Sequence, residues 1–274
     1  MSRFHTASLL GITLAATASI IFICIFTTLD RPAASPPVSP TRFAVIVPHH
    51  DVVKDHRLDF WQSILSDNPL FASEIVRVIL IGPDHFGPDQ TVISYADTSW
   101  SLNSGKLANP FTRPSYFTGI YRSNNYLVKD DHAVSSLLSE LHSNFPNASL
   151  TAFLIGDRVA FSNLQPLQNY ISDVCSTDPC LLVASVDFSH YLTLAESNAQ
   201  DTRTIRLLES KTLEEYSLRQ TDKIEADSPG SLYIAQEFAR TYNLNWRLVD
   251  HTNSAFGDPK TTDTTSHIFA AYLP

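Results

Sequence analysis

Apolar residues fall along the chain in short runs, and the runs alternate with segments of helical spacing. "FAVIVP" (43–48), "VRVILIG" (76–82), "SLTAFLIG" (149–156) and "CLLVASVDF" (180–188) are near-continuous apolar stretches of strand length. Between them, "LDFWQSIL" (58–65), "DDHAVSSLLSELHSNF" (130–145) and "LQPLQNYISDV" (164–174) place apolar residues three and four apart. That spacing predicts helices with one buried face. Further helices are predicted at "ESNAQDTRTIRLLES" (196–210), "LEEYSLRQ" (213–220) and "PGSLYIAQEFARTY" (229–242), the last with Pro229 in its first turn. "NWRLVDHTNS" (245–254) and "SHIFAAYL" (266–273) read as closing strands, and the polar region 91–128 as a hairpin-containing insertion. Strands apolar on both faces need helices on both sides. The expected fold is therefore a layered α/β domain with a largely parallel or mixed central sheet.

The first 42 residues do not share this pattern. Ala7 to Leu29 carries no charge, and its 23 residues at ~1.5 Å each could cross a hydrocarbon core of ~30 Å. Residues 1–30 are read as a membrane signal anchor, residues 31–42 as a Pro/Ser-rich linker, and residues 43–274 as the folded domain. Arg3 at the amino end places the domain outside the cytoplasm by the positive-inside tendency. In such a compartment Cys175 and Cys180, in "CSTDPC", are candidates for a short disulfide.

Composition narrows the function. The chain has 274 residues and a formal net charge of −9, with no cluster of Lys or Arg. An acidic surface without a basic patch argues against nucleic acid as a partner. No G-x-S-x-G, Walker A or G-x-G-x-x-G sequence occurs, and there are only eight glycines. These absences remove a hydrolase nucleophile elbow and a phosphate-cradling loop.

What remains is the set of residues that follow the strands, where open α/β sheets bind their ligands. "PHHD" follows the first strand and "PDHFG" the second, "DFSHY" ends the fourth, and "DDH" opens a helix. Three strand ends carrying His are more than a chain with ten histidines would place there by loop composition. His49 and His50 are adjacent and should point opposite ways, so only one is expected in the site, and His49 is preferred. His251 and His267 are read either as lining the rim or as residues of the closing strands, with the strand reading preferred. A His/carboxylate cluster with open positions suits Fe(II), and Zn or Mn is also compatible.

"IVPHH", "LIGPDHFG", "DDHAVSSLLSEL" and "ASVDFSHY" resemble, in that order, the signature blocks of the Memo-like family, called AmmeMemoRadiSam system protein B in bacteria and archaea. "TSWSLNSGKL" (98–107) is similar to a further segment, and the resemblance spans residues 43–273. It implies the class III extradiol dioxygenase fold and a metal pocket. It maps His49 and His85 onto metal ligands, and His132, Asp187 and His190 onto the acid/base and substrate-facing side. The Tyr- and Gly-rich segment that follows the family's first His is absent, replaced by "DVVKDH". Where Memo proteins carry a Cys, matching Pro229 puts Glu225, and dioxygenases of this fold use a Glu there. The implied triad is His49, His85 and Glu225, with Asp227 taking that place if the match slips by two.

Three functions follow as expectations. One is a non-haem iron enzyme acting on a small polar or aromatic molecule, with Fe(II) favoured and Zn, Cu or Mn compatible. The second is a metal- or ligand-binding module without turnover, and the third a metal-dependent hydrolase. The family's name carries a radical-SAM association, but an extracytoplasmic domain would not easily meet a cytoplasmic iron–sulfur partner.

Overall fold

The structure is a computed structural model that describes residues 40–102, 105–213, 224–255, 258 and 260–274. Contacts divide the chain into Met1–Ser39 and Pro40–Pro274, and only the second unit lies within the described residues. The predicted anchor and most of the predicted linker therefore lie outside them, as does all but Leu213 of the helix predicted at 213–220.

One eight-stranded sheet organises the unit. Its strands are β1 (Arg42–Val47), β2 (Arg77–Pro83), β3 (Ile93–Tyr95), β6 (Tyr121–Ser123), β7 (Ser149–Ile155), β8 (Cys180–Ser185), β9 (Asn245–Asn253) and β10 (Ser266–Leu273). A separate hairpin pairs β4 (Trp100–Leu102) with β5 (Gly105–Leu107). The sheet order is β6-β3-β7-β2-β8-β1-β10-β9. The four central strands run parallel, with Ala44 beside Leu182 and Leu80 beside Val183. β10 pairs antiparallel with β1 and β9 with β10, so the sheet is mixed, as expected.

Alternation along each central strand feeds two cores. Phe43, Val45 and Val47 face one core together with Leu80, Leu181 and Val183. Ala44, Ile46, Ile79, Ile81 and Leu182 face the other. The first core is roofed by α1 (Lys54–Asp67) through Phe60, Trp61 and Ile64, and by α5 (Leu138–Asn144) through Leu141. The short turns α2 (Phe71–Glu74), α3 (Asn125–Asp130) and α4 (His132–Ser135) complete that layer. The second core is covered by α6 (Gln165–Thr177) and α8 (Pro229–Thr241), through Leu167, Tyr170, Leu232 and Phe238. The helix α7 (Leu194–Ser210) closes one side, its start fixed by a Thr193–Glu196 capping box.

Two expectations change. The insertion at 91–128 contains the predicted hairpin, but its β3 and β6 also extend the main sheet. Ile93 and Tyr95 are buried there, on a strand of three residues too short to show a period of two. The expected placement outside the cytoplasm behind one spanning helix is corrected. Among the described residues no helix is long and apolar enough to cross a membrane. The longest of them, Leu194–Ser210, has 17 residues and carries Glu196, Asp201, Arg203, Arg206 and Glu209. Residues 7–29, on which the expectation rested, lie outside the described residues.

Candidate metal centre

The carboxyl ends of β1, β2 and β8 lie side by side, and their loops carry the polar residues singled out above. After β1 the chain stays paired for one more step, with Val186 N–H donating to Val47 O at 3.1 Å. His49 follows. Its backbone N–H donates to Asp187 Oδ1 at 3.2 Å, and its Nδ1 lies 3.1 Å from the Ser185 hydroxyl. With Nδ1 engaged, Nε2 turns inward, 3.4 Å from Asp187 Oδ2 and 3.3 Å from Asp227 Oδ2.

His85 is fixed in the same way from β2. Asp131, at the start of α4, accepts from His85 N–H at 3.0 Å and sits 2.8 Å from its Nδ1. It also caps the helix, accepting from Ala133 N–H at 2.9 Å. This docking requires Gly82, because a Cβ there would meet Ala133 Cβ at 2.8 Å. At Gly87 a Cβ would meet the Asp84 carboxylate at 2.3 Å, so a larger residue would displace that side chain. His85 Nε2 then lies 3.9 Å from Asp227 Oδ2. Both imidazoles thus present Nε2 to one carboxylate oxygen, each with Nδ1 held by the protein.

Asp227 arrives from the far side. Ala226 bridges to Phe188, and Asp227 N–H donates to Asp187 O at 3.0 Å. In return the Asp227 carboxylate accepts from Asp187 N–H at 3.2 Å. Next along, Ser189 donates to the buried Asp201 carboxylate at 2.7 Å, which also accepts from Ser266 at 3.0 Å and lies 2.7 Å from His251 Nε2. Tyr191 adopts φ 58°, so the chain turns away directly after His190.

Burial sets the electrostatics. It drives the His49 pKa down to about 4, against the pull of Asp187. His132 falls to about 4 by desolvation and by repulsion from His85 and His49. Desolvation also lowers His190, opposed by Asp227. His85 is raised, because its bond to Asp131 outweighs desolvation. Desolvation pushes Asp187 up to about 6, with Asp227 adding and His49 opposing, and Asp227 up to about 7, with His85 and His190 opposing. The site thus holds His49 and His132 as neutral imidazoles beside carboxylates that resist ionising, the balance a bound cation would relieve.

Three groups of side chains hold possible ligand atoms within 4.8 Å of one another: His49, His85 and His132; His49, Asp187 and Asp227; and His50, Asp187 and His267. The structure thus brings together His49, His85, His132 and Asp187 from the sequence expectation. His132 is at the rim, its side chain 49 % exposed and its ring stacked on His85 at 3.9 Å. His190 stands close enough for Asp227 to affect it but belongs to none of the groups. Glu225 also belongs to none, and Asp227, the alternative by a two-residue slip, occupies the site. Sequence reasoning missed Ser185 and assigned Asp131 no role. The signal for Asp131 was its place before a helix, and Ser185 left none inside an apolar run.

Comparison with known proteins places these observations. No protein-family model matches the chain. The MEMO1 family protein Ta0237 of Thermoplasma acidophilum is 24 % identical over 227 residues, 79 % of this chain and 80 % of that protein. The crystal structure of uncharacterized protein JW3007 from Escherichia coli K12 is similar with a TM-score of 0.46 and 9 % identity, covering 84 % of this chain and 99 % of that one.

Proposed function

We propose that this chain is a Memo-like protein and that its sheet-end pocket binds a divalent metal through His49, His85 and Asp227. One observation carries the reading. Ser185 and Asp131 hold the two Nδ1 atoms, and the two Nε2 atoms lie 3.3 and 3.9 Å from the same Asp227 oxygen. Donors each about 2.1 Å from one ion can be at most about 4.2 Å apart, and both imidazole–Asp227 distances meet that. Hydrogen bonds to the far ring nitrogen are what tune and orient metal-bound histidines. Two imidazoles and one carboxylate suit Fe(II) first, and Zn, Mn or Cu as well.

A bound divalent ion supplies Lewis-acid polarisation of a coordinated oxygen, and iron adds one-electron chemistry. The chain's own residues do the rest. Asp187, with its pKa raised to about 6, can hold or release a proton beside the pocket near neutrality. His190, kept neutral, is the base candidate facing a small-molecule ligand, and His132 lies at the rim to contact it. Turnover of a catechol under air would identify an iron oxygenase, and metal without turnover a binding module.

The test is elemental analysis of the full chain purified without a chelating tag, anaerobically loaded with Fe(II). His85→Ala and Asp227→Ala should each lower metal affinity at least about 100-fold, and Glu225→Ala should leave it unchanged. Equal metal in all three variants and in the parent would overturn the reading.

A further inference from the structure

His49 and His50 leave β1 in opposite directions, and the structure shows where the second one goes. His50 Nδ1 lies 3.2 Å from Nε2 of His267, near the start of β10. The sequence favoured His49 over His50 for the site and left His267 between the rim and a closing strand. The two rings meet with centroids 5.4 Å apart, beside the carboxylate of Asp187.

Three features separate this pair from a structural contact. First, a single proton between two imidazoles satisfies only one nitrogen of each ring. The other nitrogen of His267, Nδ1, is buried with no hydrogen-bond partner among the described residues. A fully buried histidine serving only the core would be expected to satisfy both nitrogens. Second, two nitrogen donors on a tetrahedral ion with bonds of about 2.1 Å stand about 3.4 Å apart, close to the 3.2 Å observed. Third, Asp187 is shared. Its carboxylate belongs to the His49–Asp187–Asp227 group and to the His50–Asp187–His267 group alike.

We propose that His50, His267 and Asp187 form a second divalent-metal position beside the first, with Asp187 lying next to His49 of that first set. This goes beyond the site proposed above and does not depend on it, since His49, His85 and Asp227 hold the first position and none of them holds the second. The carbonyl of His50 is itself anchored, accepting from Arg57 Nη1 at 2.8 Å, so the ring is delivered from a held backbone. The class of ligand is a borderline divalent cation, for which nitrogen and carboxylate donors are suited.

Zn(II) is the probe. The full chain, tagless and chelator-stripped, is dialysed against buffered Zn(II) and its metal counted, with circular dichroism reporting the fold. Two equivalents are expected in the parent. His50→Ala, at an exposed position that need not disturb the core, and His267→Gln should each leave one. His85→Ala should also leave one, and His50→Ala with His85→Ala none. Loading Co(II) instead should give two spectrally distinct sets of ligand-field bands, one absent in His50→Ala. One equivalent in the parent that survives His50→Ala and His267→Gln but not His85→Ala would overturn the second position and leave the first standing. One equivalent lost in His50→Ala and kept in His85→Ala would do the reverse. No zinc in the parent would overturn both.

Discussion

The same four parallel strands end in two very different ways. At their amino ends the two arginines, Arg42 and Arg77, are both met inside the protein. Arg42 donates to the carbonyls of Cys175 and Ser176 and lies 4.5 Å over the Tyr242 ring. Arg77 bonds Asp178 at 2.8 Å and the Ser149 hydroxyl at 3.0 Å. Cys175 and Cys180 are joined in a disulfide with Cα atoms 5.5 Å apart, and Cys180 N–H donates to Thr41 O at 2.9 Å. At their carboxyl ends Asp187 and Asp227 are crowded together, and His49 and His132 are held neutral. One end is a staple that completes itself. The other is a set of donors whose electrostatics improve when a cation arrives. Stability and binding are thus assigned to opposite ends of one sheet, and changes at each end should separate them.

The largest effect is expected at the carboxyl end. The folded pKa of Asp227 is raised to about 7 from an ordinary 3.8. Its carboxylate therefore costs nothing below the unfolded value and progressively more as pH rises through the folded one. In the metal-stripped chain this group alone should remove on the order of 2 kcal/mol of stability between pH 5 and 7.5. Asp227→Asn should melt above the parent at pH 7.5, with the gap closing toward pH 4. A variant that melts below the parent at pH 7.5 contradicts the desolvation argument. Zinc should reverse the order by stabilising the parent more than the variant, which lacks a ligand of the first position.

At the amino end, reduction of the disulfide should cost about 2 kcal/mol, because its closed loop is short. Thermal unfolding with and without reductant reads this directly. Metal content should be unchanged, and a loss of metal on reduction would join the two ends that the comparison separates. Arg77→Ala is the smallest change. Its ion pair with Asp178 is about one-third exposed, so solvent screens it and about 1 kcal/mol is expected. Its metal stoichiometry should match the parent's.

Much of the scaffold was legible. The apolar runs at 43–48, 76–82, 149–156 and 180–188 became the four parallel strands because a strand buried on both faces has no need of alternation. His49, His85 and Asp187 were legible by position alone, as polar residues directly after such runs. β3 and β6 were not, because three residues carry no period. Asp227 was visible only as a slip from Glu225. Which of two acids two residues apart reaches His49 depends on the Ala226–Phe188 bridge, a contact across 38 positions of chain.

The sequence, read alone, determined that this chain builds an α/β sheet whose carboxyl end is rich in histidine and aspartate, since burial pattern and strand order of appearance are local properties. Tertiary structure alone decided which of those side chains meet. Ser185 and Asp131 select the exposed nitrogen of His49 and His85, and β10 brings His267 to His50 across 217 positions. Hydrogen-bond geometry at that range is set by how β1 packs between β8 and β10, and no spacing along the chain encodes it.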